Sequence, residues 1–205
     1  MISGSDREDC IRRYDKAFEE YGKSHKALLW GGDAEKQVRR FKGISEHIIT
    51  NPSINSVLDV GCGFGDFYSY LSSVGFTGSY TGLDLNSNFI KVAKSLFPAG
   101  TFICGSLDEL MTKKTYDAVI SCGIFNYKLR NGCNLKYIEN SLNKIFSLCN
   151  CLSSSDFLTS IVDWENTNSF HLDPLDLIQM VTPITNKFRI NHHYLEYEYS
   201  VTLFK

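Results

Sequence analysis

The segment Val57-Leu58-Asp59-Val60-Gly61-Cys62-Gly63-Phe64-Gly65-Asp66 constrains this 205-residue chain more than any other. A short apolar run reads as a buried strand. Three glycines at alternate places follow it, and a helix-length stretch from Asp66 to Val74 comes next. A chain that leaves a strand, turns on glycine and enters a helix is patterned for an α/β fold. Glycines at that turn also let a ligand approach the backbone closely.

The flanking pattern extends this reading. Tyr80–Leu83, Thr101–Cys104, Tyr116–Ser121 and Asp156–Val162 read as further strands. Asn86–Leu96 is helical, with Phe89, Ile90, Ala93 and Leu96 on one side, and Leu135, Ile138, Leu142, Ile145 and Phe146 mark a longer helix. Asp173-Pro174 is an N-cap with a first-turn proline, opening a helix towards Met180. Phe188–Tyr194 and Tyr197–Phe204 alternate in period two and form an antiparallel hairpin with Leu195 and Glu196 between them. Ahead of the first strand, Ile11, Tyr14, Phe18 and Tyr21, then Val38, Phe41, Ile44 and Ile48, sit at helical spacing, with Gly31-Gly32 as a break. The expected architecture is a three-layer α/β sandwich. Its mostly parallel seven-stranded sheet ends in an antiparallel hairpin. Residues 1–50 form a helical cap or lid and residues 51–205 the main domain.

The balance of 21 basic and 23 acidic residues gives a formal charge of -2, which argues against a large phosphate-binding footprint. No apolar run approaches the ~18 residues of a membrane span, and the polar start does not resemble a secretion signal. The seven cysteines are odd in number and scattered, and Cys62, Cys104 and Cys122 lie in or beside apolar runs, so a reducing, cytoplasmic setting is expected. No metal site is expected. Cys149-Asn150-Cys151 ends a helix without a second cysteine pair, and His192 and His193 point to opposite faces of a strand.

The glycine loop departs from the dinucleotide fingerprint, because its third glycine comes one place early and Asp66 takes the usual position. Asp59 and Asp66 flank the loop. A pyrophosphate would meet two anions there, whereas a ligand carrying ammonium or sulfonium charge would be favoured. Asp59 to Gly65 resembles the D-x-G-x-G-x-G motif of the class I S-adenosylmethionine-dependent methyltransferases, of small-molecule type, with a seven-stranded Rossmann-like sheet. Asp84, nineteen residues after Gly65, and the closing hairpin fit the same resemblance, which covers about residues 54 to 205. The resemblance implies S-adenosylmethionine as cofactor. Asp59, Gly61, Cys62, Gly63 and Gly65 would bound its methionine end, and Asp84 and Leu85 its ribose. Ser106 and Leu107 would border its adenine, with Asp108 two places on. Cys122 and Gly123 would present backbone near the methyl, and Arg40 would reach the carboxylate.

Methyl transfer from a sulfonium needs alignment and exclusion of water more than a fixed base. The segment Cys122-Gly123-Ile124-Phe125-Asn126-Tyr127 lacks the prolines of base-amine methylation, and no proline precedes Cys122 as in cytosine C5 methylation. A small-molecule acceptor, taking the methyl on oxygen or nitrogen in biosynthetic metabolism, is therefore expected. Tyr21, Trp30, Asn126, Trp164 and Phe170 are the candidate acceptor contacts, and His171 and Tyr127 the candidate catalytic groups. His171 also reads as an ordinary surface-loop histidine, and Tyr127 as a packed core tyrosine. The basic residues Lys23, Lys26, Lys36, Arg39, Arg40 and Lys42 read either as a solvated face or as a site for an anionic partner. A cofactor-binding protein without turnover and an RNA or protein methyltransferase remain alternatives. Tyr194, Tyr197 and Tyr199 suit a homodimer contact or packing on the chain's own sheet.

Overall fold

A computed structural model describes residues 2–30, 34–110 and 114–205. The Gly31-Gly32 break lies outside the described residues. Two helices, α1 (Gly4–Tyr21) and α2 (Ala34–Ile49), precede β1 (Ser56–Val60). There follow α3 (Asp66–Ser73), β2 (Ser79–Asp84), α4 (Ser87–Leu96), β3 (Thr101–Cys104), β4 (Tyr116–Ser121), α5 (Asn134–Leu148) and β5 (Cys149–Thr159). The chain closes with β6 (His171–Leu172), α6 (Pro174–Val181), β7 (Phe188–Leu195) and β8 (Glu198–Phe204). The main sheet runs β3-β2-β1-β4-β5-β8-β7. Its first five strands are parallel, β8 is antiparallel to β5 and β7, and the short β6 adds to β5.

The two faces of the sheet are separated by strand alternation. Leu58 of β1 and Val119 of β4 pack with Ile138, Leu142 and Ile145 of α5 and Leu177 of α6. Val57, Ala118 and Ile120 face the other way, against Phe41, Ile44 and Ile48 of α2, Phe67 and Leu71 of α3, and Ile90 of α4. Each such fully buried Val, Leu, Ile or Phe side chain contributes about 1.5–3 kcal/mol of transfer free energy. α2 thus lies directly on the sheet, while α1 rests across the carboxyl ends of the strands. There Tyr14 and Phe18 pack on Phe89 of α4, and Phe18 on Phe64 of the glycine loop, with ring centroids 5.5–5.9 Å apart.

Three boundaries differ from the sequence reading. β5 begins at Cys149, not Asp156, and ends at Thr159, not Val162. Its polar residues Ser153–Ser155, ahead of the strand as read from the sequence, are buried between β4 and β8, where Ser155 Oγ accepts from Ser121 Oγ (2.8 Å) and Ser154 Oγ lies 3.1 Å from Thr202 Oγ1. Cys149 to Cys151 therefore starts a strand. The hairpin turns on Glu196 and Tyr197, one place later than expected, because Leu195 and Glu198 still pair. Finally, His171, which reads from the sequence as a surface-loop histidine, opens the short strand β6.

Candidate active site

The glycine loop is shaped by backbone geometry. Gly61 and Cys62 N–H both donate to the Leu83 carbonyl at 2.7 and 3.1 Å, so the end of β1 is tied to the end of β2. Gly61, Gly63 and Gly65 all have positive φ, the region that L side chains avoid. A Cβ on Gly61 would lie 2.1 Å from Ile124 Cγ2, so a side chain there would collide with the loop after β4.

Asp84 completes the turn. Its Oδ2 accepts from Gly63 N–H at 2.9 Å and its Oδ1 from Asn86 N–H at 2.8 Å. Each oxygen keeps a lone pair for a further donor. Burial pushes the Asp84 carboxyl up, while the two backbone N–H groups favour its ionised form. Asn86 in turn caps α4 by accepting from Asn88 and Phe89 N–H. Asp59 is fully buried and accepts a 2.5 Å hydrogen bond from the Tyr80 hydroxyl, not from the loop N–H groups. Burial carries its pKa up to about 7, with the Tyr80 bond opposing and the Asp84 and Asp66 carboxylates adding.

Above this floor lies a cavity of about 150 Å³. That is an order of magnitude more than the roughly 10–15 Å³ one water requires, so it is a ligand space rather than a packing defect. It opens at the carboxyl ends of the parallel strands, where open α/β sheets bind ligands. Asp59, Gly61, Cys62, Gly63, Asp84, Leu85, Ser106, Leu107, Cys122 and Gly123 line it, as do Trp30 and Tyr127. The sequence reading did not assign Asp66, Asn86, Phe89, Gln37 or Tyr14 to the site, yet they line it too. Asp108, noted only as a neighbour of Ser106, is also in the wall. Asp66 carried a signal in the sequence, being the first residue of the helix that follows the glycines. Tyr14 carried none, because only the packing of α1 brings it there. Among the described residues the wall holds four carboxylates, Asp59, Asp66, Asp84 and Asp108, and no Lys, Arg or His.

Other candidates lie elsewhere. Arg40 is buried and committed to Glu198 of β8, which it meets through both Nε and Nη2, and its guanidinium lies 4.6 Å from the Trp30 ring centre. It is not a free cation in the cavity wall. Gly65 sits beneath the loop at the start of α3, against Phe97 and Phe102. Tyr21 is exposed, with Lys26 Nζ 5.7 Å from its ring centre, and Trp164 is 66% exposed. Asn126 is a structural clamp: its Oδ1 accepts from Leu158 N–H and its carbonyl from Phe170 N–H, both at 3.0 Å. Phe170 packs on the core under α5 and α6. His171 is in β6, outside the cavity wall, and its Nδ1 donates to the Thr159 carbonyl at 2.8 Å. Tyr127 does face the cavity, with Arg13 5.7 Å from its ring centre. Burial raises its pKa, which keeps it a phenol at neutral pH.

α1 covers the cavity and is fastened at three places. The buried Asp6 accepts from Arg130 and Asn131 N–H at 2.8 and 3.0 Å, Arg7 pairs with Glu109 at 2.5 Å, and Asp15 accepts from the Asn86 and Asn88 amides. Glu109 also forms a reciprocal turn with Ser106, each accepting from the other's backbone N–H. In the basic cluster, Lys23 pairs with Asp66, Arg39 with Glu35 and Arg40 with Glu198.

The lining of the cavity matches S-adenosylmethionine in its chemistry. The carboxylates match its sulfonium and ammonium charges, and the remaining lone pairs of Asp84 match ribose hydroxyls. Leu85, Phe89 and Leu107 offer apolar surface to a purine. Comparison with known proteins agrees. Residues 57–147 match the family described as "Methyltransferase domain". A Mycobacterium tuberculosis protein named only provisionally as a methyltransferase is 26% identical over 163 residues, covering 73% of this chain and 93% of that one. The solved DhpI complex with SAH superposes with a TM-score of 0.72 at 15% identity, covering 98% of this chain and 97% of the other. The magnesium protoporphyrin IX methyltransferase of Synechocystis PCC 6803 with SAH superposes with a TM-score of 0.70 at 13% identity, covering 96% and 98%. With the glycine motif, the acidic end of β2 and the reversed hairpin in one chain, the protein has the class I S-adenosylmethionine-dependent methyltransferase fold, and its central segment matches the methyltransferase-domain family.

Proposed function

We propose that the protein transfers a methyl group from S-adenosylmethionine to a small-molecule acceptor through oxygen or nitrogen. The observation that carries the reading is the cavity beneath α1, lined by four carboxylates and, among the described residues, no cation. Asp84 and Leu85 would hold the ribose, Ser106, Leu107 and Asp108 the adenine edge, and Asp59 and the Gly61–Gly63 turn the methionine end. With Arg40 committed to Glu198, the neutral donors of Gln37 and Trp30 are the groups in the wall that suit the methionine carboxylate. The cofactor, when bound, supplies an electrophilic methyl on a positively charged sulfur.

The chain's own contribution is alignment and exclusion of water. Cys122 and Gly123 would set the wall beside the methyl, and α1 would close the cavity above it. Tyr127, held as a phenol, suits hydrogen-bond donation to the acceptor better than proton removal. Three of the six residues of the basic cluster, Lys23, Arg39 and Arg40, are paired with carboxylates of the chain itself, which leaves less charge for a nucleic-acid partner. A small acceptor also suits the likeness to an enzyme named for magnesium protoporphyrin IX.

Calorimetric titration with S-adenosylmethionine and its demethylated product, beside Asp84→Ala, tests the cofactor site. A screen of hydroxylated, aminated and anionic small molecules for methyl transfer then tests the acceptor. Absence of binding to the folded protein would refute the reading, and turnover on RNA or protein alone would replace the acceptor class.

A further inference from the structure

The Cys122–Gly123 turn at the end of β4 is gripped from both sides. Gly123 has a φ of +80°, and a Cβ there would stand 3.2 Å from Trp30 Nε1. Behind it lies Asp156 of β5, 1% exposed and outside the cavity wall. Its Oδ1 accepts from Gly123 N–H at 2.6 Å, and its Oδ2 lies 3.5 Å from Cys122 Sγ. The cavity wall itself is made by Cys122, Gly123 and Trp30.

We infer that Asp156 is a positioning residue for methyl transfer: its carboxylate fixes the Cys122–Gly123 turn against the cofactor cavity. The inference rests on the methyl-transfer reading above. Every element packed around Asp156 presents a titratable or charged group: Glu198 from β8, Arg40 from α2, Cys122 from the end of β4 and Tyr194 from β7. The Tyr194 hydroxyl is buried without a hydrogen bond. Burial and Glu198 push the Asp156 carboxyl up to about 6, against Arg40, the Gly123 N–H and the Cys122 thiol. An ionised carboxylate accepts a hydrogen bond roughly twice as strongly as a neutral acid. The turn is therefore held most firmly above this titration and loosens on acidification. Asp156 touches neither cofactor nor acceptor and acts through the backbone of Gly123.

The test is calorimetric titration of S-adenosylmethionine into the wild-type protein, Asp156→Asn and Asp156→Ala from about pH 5 to about pH 8, with a thermal melt of each. Asp156→Ala leaves the Gly123 N–H without an acceptor and is expected to bind at least about tenfold more weakly near neutral pH. Asp156→Asn keeps an acceptor oxygen without charge and is expected to stay within about threefold of wild type. The ratio of wild-type to Asp156→Asn affinity should rise from near one at the acid end to about threefold at the alkaline end. Asp59, the other carboxyl titrating near neutrality, acts on both proteins and cancels in this ratio. A ratio independent of pH, or a folded Asp156→Ala that binds within twofold of wild type, overturns the role of Asp156 while leaving methyl transfer intact. Should Asp156→Ala fail to fold, the pH dependence of the ratio decides alone. Failure of the folded wild-type protein to bind the cofactor at any pH overturns both readings together.

Discussion

Two glycine turns flank the cavity, and a carboxylate from the neighbouring strand ties down each. Asp84 at the end of β2 holds Gly63 after β1, and Asp156 in β5 holds Gly123 after β4. The hydrogen bond is the same, yet the two carboxylates are placed for opposite uses. Asp84 stands in the cavity wall, each of its oxygens bonded to one backbone N–H and each keeping a lone pair for a further donor. Asp156 is sealed behind the wall with a cation, a second carboxylate and a thiol for company. The difference teaches that one backbone–carboxylate device can present an acid to a ligand or withhold it. What surrounds the carboxylate decides which.

Four measurements break or sharpen that comparison. The largest effect is expected from Arg40→Met, which leaves Glu198 and Asp156 buried without their cation. Removing one partner of a buried pair costs about 3–5 kcal/mol, to be read by chemical denaturation, and Arg40→Met with Glu198→Met should recover most of it. A loss below about 1 kcal/mol would make the pair equivalent to an exposed one and remove the contrast with Asp84.

Next comes Asp59→Asn. Asp59 ionises near 7 in the folded protein against its ordinary 3.8, so the unfolded chain releases this proton first. Its contribution to stability is fullest below about pH 4 and declines as pH rises to about 7. The variant keeps an oxygen for Tyr80 and should gain on wild type across that window, by up to about 4 kcal/mol. Parallel stability profiles for the two proteins would show that the floor of the Asp84 side carries no such strain.

Asp84→Ala follows, with an expected weakening of cofactor binding of about 100-fold, or about 2.7 kcal/mol. A change under threefold would show that the remaining lone pairs of Asp84 are not used. The smallest effect is expected from Asp15→Ala, which releases one of three fastenings of α1 over the cavity. It should weaken binding by about two- to fivefold, mostly through faster release of cofactor in stopped-flow experiments. Unchanged release would mean that Asp6 and Arg7 hold the cap unaided.

The Asp84 side was largely legible in the sequence, because its residues are consecutive or at fixed spacing. Gly61, Gly63 and Asp84 belong to one strand–turn–helix–strand unit, and local rules place them together. The Asp156 side was not. Asp156 ends a polar run that disguised the first half of β5, and the Arg40 and Glu198 that pair behind it are 158 residues apart in sequence. The same blindness explains Arg40, which reads as a free cation on an amphipathic helix until β8 delivers Glu198. Trp164 and Asn126 sit close in sequence to cavity-lining or strand-end residues, yet one points outward at 66% exposure and the other is consumed by clamping β5.

By itself the sequence determined the succession of strands and helices apart from β6, the reversed hairpin, the glycine turn and the acidic residue facing it. These depend on periodicity, on backbone freedom at glycine and on short spacings, which act before distant segments meet. Tertiary structure alone decided which polar residues became walls and which became braces. That choice depends on desolvation and on partners brought from other elements: Tyr80 for Asp59, Glu198 for Arg40 and Gly123 for Asp156. A carboxylate becomes a ligand group or a hidden brace according to what surrounds it, and its surroundings exist only in the folded chain.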